Sequence, residues 1–253
     1  MKVLVITVAG MSSRFSESVG YPCLKCLYHK QDMKEALLYR LLYQADGFDK
    51  YIIVGGFLFD ELEAGLRENF TEWNDRILLV KNEKYAEYGS GYSLYLGLQA
   101  ALEMEVSELV FAEGDLYIDE ESFKKVLTSR SDVVTYNRDV ILANKAVAFY
   151  FDMQDRIHYI YDVAHHALEI KEPFLGIFNS GQVWKFVQPR YLRKTVRDMA
   201  EADWRGTNLV FVQKYFETMK RDEYELIGLE RWINCNTVFD FEKIIEEKYE
   251  DIR

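Results

Sequence analysis

The chain opens on Val3-Leu4-Val5-Ile6-Thr7-Val8 and turns at once into Ala9-Gly10-Met11-Ser12-Ser13-Arg14-Phe15, with Tyr21-Pro22-Cys23-Leu24-Lys25 close behind. A short apolar run bounded by a turn reads as a strand buried on both faces, the kind that parallel sheets use. The small residues after it let the backbone come close to a ligand, and their N–H groups can be aimed at an anion. Arg14 and Lys25 add two cations beside those amides. The stretch therefore predicts a parallel α/β sheet with a phosphate-binding turn at its carboxyl edge.

The pattern repeats outward from this strand. Tyr51-Ile52-Ile53-Val54 runs into Gly55-Gly56, Ile77-Leu78-Leu79-Val80 follows, and Leu109-Val110-Phe111-Ala112 ends in Glu113-Gly114-Asp115. Between them, helical spacing marks residues 35–44, 59–69 and 92–103. A β-α-β-α-β-α-β order predicts a Rossmann-like three-layer α/β/α fold with a mostly parallel, mixed central sheet. Beyond residue 130 the runs shorten and begin to alternate, at 133–136, 146–151, 157–161, 174–178 and 225–227. Helical patterns return at 183–192, 208–220 and 239–248. The chain is read as one domain over residues 1–253. Its first half, 1–130, faces the nucleotide; its second, 131–253, extends the same sheet over the acceptor.

Composition narrows the function classes. With 49% hydrophobic and 15% aromatic residues in 253, the chain can bury a large core, which excludes disorder. A formal net charge of −11 disfavours nucleic acid as a partner, since a phosphate backbone asks for a basic face. No apolar run approaches the ~20 residues of a membrane span, and no leader pattern follows Met1-Lys2. With only three cysteines, the reading is a cytoplasmic protein.

The opening turn is neither a dinucleotide fingerprint nor a P-loop, because it lacks both G-x-G-x-x-G and G-x-x-x-x-G-K. It resembles the nucleotidylyltransferases, the nucleoside-diphosphate-sugar pyrophosphorylases and their cytidylyltransferase relatives. Their motif is an apolar strand, A-A-G-x-G-[ST]-R, then a Pro and a Lys. Here it reads Val8-Ala9-Gly10-Met11-Ser12-Ser13-Arg14 with Pro22 and Lys25. Ser12 stands for a usual glycine, and Cys23-Leu24 separates the proline from the lysine. Asn82-Glu83-Lys84-Tyr85, followed by Gly89-Ser90-Gly91-Tyr92-Ser93, is similar to the nucleotide loop of the cholinephosphate cytidylyltransferase branch. Ser90 or Ser93 could equally cap the helix that begins there. Asp115 matches the family's metal-binding aspartate after the fourth strand. Trp232-Ile233-Asn234-Cys235-Asn236 matches its W-x-E-I-D, with Asn234 and Asn236 where the acids stand.

The resemblance implies a GT-A-like nucleotidyltransferase fold and a nucleotidylyltransferase that takes an NTP, pyrimidine favoured, and a small phosphorylated acceptor such as a sugar 1-phosphate or phosphocholine. It assigns the nucleotide to Ala9, Gly10, Met11, Ser12, Ser13, Gly89, Ser90, Gly91 and Ser93. Catalysis falls to Arg14 and Lys25, and Mg²⁺ to Asp115 and Asn236. Asn236 could instead only cap the last helix. Two rival readings are a non-catalytic nucleotide-binding relative, motivated by Ser12, Asn234 and Asn236, and a metal-dependent glycosyltransferase, for which Glu113-Gly114-Asp115 approximates an acidic D-x-D. Cys23-Leu24-Lys25-Cys26 lacks a second pair at zinc spacing. His165-His166 reads as a solvent loop rather than part of an acceptor pocket, and residues 246–251 as a solvated helix end. The resemblance places Asp203-Trp204-Arg205 and Asn208 on the acceptor side, where Trp204 could equally be a packing residue.

Overall fold

The apolar opening run forms β1 (Lys2–Thr7), with Val3, Leu4, Val5 and Ile6 fully buried. The structure, a computed structural model, describes residues 1–143, 147–160 and 169–250, with side chains to residue 246. After β1 come α1 (Ser13–Val19), α2 (Leu37–Gln44), β2 (Lys50–Gly55), α3 (Phe59–Asn69), β3 (Ile77–Lys81), α4 (Ser90–Leu102) and β4 (Glu108–Glu113). The chain continues through β5 (Leu116–Ile118), α5 (Glu120–Thr128), β6 (Asp132–Asn137), β7 (Ala148–Asp152), β8 (Ile157–Ile160) and β9 (Phe174–Phe186). It closes with α6 (Pro189–Arg197), α7 (Glu201–Arg205), α8 (Leu209–Phe216), β10 (Tyr224–Leu229), β11 (Trp232–Asn234) and α9 (Val238–Glu250).

The main sheet runs β10-β6-β9-β4-β1-β2-β3. β1 pairs in parallel with β2 and β4, β2 with β3, and β10 with β6, while β9 lies antiparallel to both β4 and β6. The β7–β8 hairpin hangs from the first part of β9, and β5 and β11 form a separate two-stranded ribbon. The fold is α/β with a mixed, mostly parallel central sheet. Its layering follows from the two-residue period of a strand. Val3 and Val5 face one core with α4, α6 and α8, and Leu4 and Ile6 face the other with α2, α3 and α5. A third cluster, Phe15, Cys23, Leu37, Cys235, Phe241 and Ile244, fastens α1 and α9 to the carboxyl edge.

Most expected elements stand within a few residues of their reading; Ala146 and Tyr161 lie outside the described residues. The helix expected over 183–192 is a correction. Val183–Phe186 completes β9, and the helix starts at Pro189, whose ring suits the first helical turn. The apolar alternation there is interrupted by Lys185, which is itself buried. Its ammonium donates to the carbonyls of Leu127 and Ser129 at 2.7 Å each and pairs with Glu108 at 3.1 Å. Short β5 and β11 and helices α5 and α7 had no expectation.

Candidate active site

A cavity of about 240 Å³ opens where β1 and β4 end, lined among others by Gly10, Ser12, Lys25, Ser90, Glu113 and Asp115. Ala9, Gly89 and Ser93 also line it, so eight residues of the expected site meet there with no other input than the fold. Met11, Ser13, Arg14, Gly91 and Asn236 lie beyond that lining.

The opening turn owes its shape to one residue. Ser12 has φ 50° and ψ 27°, in the left-handed region, where glycine is the relaxed choice. Buried Phe15 then anchors α1, edge-on to Tyr28, which meets Phe241 in turn. The Ala9 carbonyl accepts from Phe57 N–H at 3.2 Å. The amides of Gly10, Met11, Ser12 and Ser13 donate to no partner among the described residues. Such a set of unpaired donors at a turn is an anion site in waiting.

Lys25 and Asp115 reach the cavity from rigid backbone. Cys23, Leu24 and Cys26 are buried around Lys25, and the Cys26 carbonyl accepts from Leu38 N–H at 3.0 Å. Gly114 lets β4 turn against β1: a side chain there would overlap Val8, and its N–H donates to the Thr7 carbonyl at 3.1 Å. The Asp115 carbonyl accepts from Cys235 N–H at 2.8 Å, which ties it to β11. Lys25 Nζ sits 2.6 Å from Asp115 Oδ2, each side chain about one-fifth exposed (20%). Asp115 Oδ1 is buried and has no hydrogen-bond partner among the described residues. Glu113 completes the floor, its Oε1 accepting from Asn208 Nδ2 at 2.6 Å. Burial, with the Asp115 charge adding to it, raises the Glu113 carboxyl to about 7 against the opposing pull of Asn208 and Lys25. Burial likewise pushes the Cys26 thiol up to about 12, so it is no ready nucleophile.

The Gly-Ser loop spends its glycine amides on the chain's own second half. Gly89 N–H donates to the Arg205 carbonyl at 2.8 Å and Gly91 N–H to that of Gly206 at 3.0 Å. A side chain at Gly89 would overlap the Gly206 carbonyl. These glycines permit close approach of the chain's own second half. Ser90 Oγ accepts from Asn208 N–H at 3.1 Å, and Ser93 Oγ accepts from buried Asn82 at 2.9 Å. No side-chain cap bond is made by Gly89, the residue before α4. Trp204 packs on Tyr92 and Tyr95, and the Arg205 guanidinium lies 4.8 Å over the Tyr88 ring.

The tryptophan motif forms β11. Trp232 Nε1 donates to the Gly181 carbonyl at 2.8 Å, and Asn234 Oδ1 is buried without a partner among the described residues. Asn236 Oδ1 accepts from Arg14 Nη2 at 2.9 Å. The start of α9 is capped by Asp240, which accepts from Asn236 N–H at 3.0 Å and Thr237 N–H at 2.8 Å. Among the described residues no three His, Cys, Asp or Glu side chains group as a metal set. His165 and His166 lie outside the described residues. A hard cation fits here: among the described residues the Asp115 oxygen has no partner, and Mg²⁺ takes one or two carboxylates and completes its shell with waters or substrate phosphates. The sequence singles out Arg205 and Asn208 only as acceptor-side residues; their contacts with Gly89 and Glu113 cross about a hundred positions and leave no local pattern.

Comparison with known proteins places this fold. Along 97% of its length the chain superposes on the CTP:phosphocholine cytidylyltransferase from Streptococcus pneumoniae, covering 98% of it, with TM-score 0.62 and 18% identity. The inositol-1-phosphate CTP transferase from T. maritima gives TM-score 0.64 and 15% identity, over 97% of this chain and 96% of that one. A protein described as a glucose-1-phosphate thymidylyltransferase from Bacillus anthracis gives TM-score 0.65 and 13% identity, over 96% and 94%. The fold is that of the nucleotidyltransferases. No curated protein matches in a search by sequence. Among the described residues no helix is long and apolar enough to cross a membrane. Residues 21–248 match the family described as "Domain of unknown function (DUF6564)", and the chain belongs to that family.

Proposed function

We propose that this DUF6564 member is a nucleotidylyltransferase that moves an NMP group from an NTP, pyrimidine favoured, to a small phosphomonoester and releases pyrophosphate. The observation that carries the reading is the convergence, in one cavity, of unpaired turn amides, the Lys25 ammonium and an unpartnered Asp115 oxygen. Two kinds of group that favour phosphate charge meet a carboxylate that could hold a cation, at the carboxyl end of a parallel sheet, where such folds take their ligands. The solved structures of this fold include enzymes named for phosphocholine, inositol 1-phosphate and glucose 1-phosphate, which supports a phosphorylated acceptor of that size.

The chemistry asks little covalent work of the protein. An acceptor phosphate oxygen attacks the α-phosphorus in line, that oxygen–phosphorus bond forms, and the bond to pyrophosphate breaks. The Gly10–Ser13 amides hold the triphosphate and the charge that grows on the leaving group. Lys25 leaves Asp115 for the α-phosphate or the acceptor phosphate, as a compact point charge on a flexible stem. Arg14, fixed by Asn236, stands behind the turn and adds positive potential to it. Mg²⁺ on Asp115, when bound, offsets phosphate charge and polarises the reacting group.

A panel of nucleoside triphosphates and phosphorylated acceptors with Mg²⁺, read as pyrophosphate release, tests the reading. Release with one acceptor class, dependent on both substrates, supports it. Nucleotide binding without release from any pair favours the second reading, a non-catalytic nucleotide-binding relative. The engagement of Asn236 by Arg14 is the observation that keeps that second reading in play.

A further inference from the structure

We infer that Glu113 is the second protein ligand of the divalent cation, beside Asp115, in the role that the family resemblance gives to Asn236. The inference rests on the reading of the cavity as a nucleotidyl-transfer site. It starts from where three side chains stand. Glu113 ends β4 and Asp115 follows two residues later, and both line the cavity. Asn236 is not on that lining, its Oδ1 accepts from Arg14 at 2.9 Å, and its Nδ2 donates to the Asn234 carbonyl at 3.3 Å. Its amide is committed at both ends.

Charge points the same way. With both acids ionised, Glu113 and Asp115 face the cavity with one cation, Lys25, paired to Asp115 Oδ2. The residue is one negative charge at the place where a triphosphate would have to come. A divalent cation held between the two carboxylates reverses that sign, and Mg²⁺ takes one or two carboxylates together with phosphate oxygens. The oxygens for it are on the page. Among the described residues, buried Asp115 Oδ1 has no partner and the Glu113 side chain receives one hydrogen bond, from Asn208, on Oε1. Asn208 is 2% exposed and is held in turn through its own N–H to Ser90 Oγ at 3.1 Å. A buried donor on one oxygen of a carboxylate is how outer partners aim a metal ligand. Here that partner comes from the second half of the chain, just before α8.

The test reads the metal without turnover. Mn²⁺ is titrated into the full chain without nucleotide and free Mn²⁺ is followed by electron paramagnetic resonance, with thermal melts as the control for folding. Glu113→Gln and Asp115→Asn are each expected to weaken Mn²⁺ binding at least about tenfold. Glu113→Asp is expected to keep part of the affinity, and Asn236→Ala to leave it unchanged. A wild-type chain that binds no Mn²⁺, a Glu113→Gln chain that binds it as well as wild type, or an Asn236→Ala loss as large as that of Asp115→Asn would each overturn the assignment. A chain that shows the expected Mn²⁺ pattern yet releases no pyrophosphate loses the proposed reaction and keeps the ligand pair.

Discussion

Ser12 holds a left-handed backbone where the resembling motif has glycine, so the geometry accounts for the motif's glycine and nothing in the structure explains the serine. The turn needs the conformation whichever residue supplies it, and a side chain there costs about 1 kcal/mol relative to glycine. Ser12→Gly is expected to raise stability by about 1 kcal/mol or less, because glycine also loosens the unfolded chain. Chemical denaturation measures it; a loss of stability would mean that the Ser12 side chain has a partner in solution. Lys25 is the residue whose removal should separate binding from chemistry. Lys25→Ala is expected to lower kcat by about 10²–10³-fold with a smaller change in KM for the nucleotide, as when one preorganised donor is taken from a developing charge. Steady-state kinetics on the pair found by the pyrophosphate panel checks it. A rise in KM with kcat intact would assign Lys25 to ground-state binding. Asp115 and Lys25 were legible in the sequence because each sits a few residues from a strand end or a buried anchor. Glu113 was legible as an acid, but its partner Asn208 stands 95 positions away.

At the scale of elements, the hairpin of β7 and β8 turns on one carboxylate. Asp152 is 2% exposed and accepts from the N–H groups of Gln154 at 2.9 Å and Arg156 at 3.0 Å. Its other oxygen takes Arg156 Nε at 2.9 Å and lies 3.0 Å from His158 Nε2. Burial works against the charged form, but these donors outweigh it and hold the Asp152 carboxyl well below the usual carboxylate range. The folded chain thus keeps the charge at pH values where the unfolded chain has taken a proton. That stability is present above the ordinary value of about 4 and is lost as pH falls below it. Asp152→Asn is expected to cost about 1–3 kcal/mol at neutral pH and to flatten the acid side of a stability–pH curve. Thermal unfolding from pH 7 downward reads both; an unchanged acid limb would remove Asp152 from the account. The same hairpin was visible as two alternating runs. The three-residue β5 and β11 were not, since so short a run carries no period of its own and exists only by pairing across the chain. The end of β9 was misread because Lys185 broke an apolar pattern whose logic lies in the carbonyls of Leu127 and Ser129.

The whole molecule is stitched at the cavity. Arg205 and Gly206 accept from the amides of Gly89 and Gly91, and Asn208 reaches Ser90 and Glu113. The floor of the first half is completed by the second. Gly89→Ala should show it. A methyl there meets the Gly206 carbonyl, so a loss of about 1–3 kcal/mol is expected, with hydrogen exchange rising in both 89–91 and 205–208. Faster exchange confined to 89–91 would break the link between the halves.

The place of β9 has a consequence for the nascent chain. It lies between β4 and β6 in the sheet, yet follows both in sequence. As the polypeptide leaves the ribosome, β1 to β4 can join as soon as they emerge, but β4 then offers an unpaired edge until residue 186 is made. β6 emerges long before the strand it must lie against. An open edge is a template for the wrong partner. During synthesis, then, the chain is most vulnerable at the centre of its finished sheet, the part that in the folded protein is the best protected.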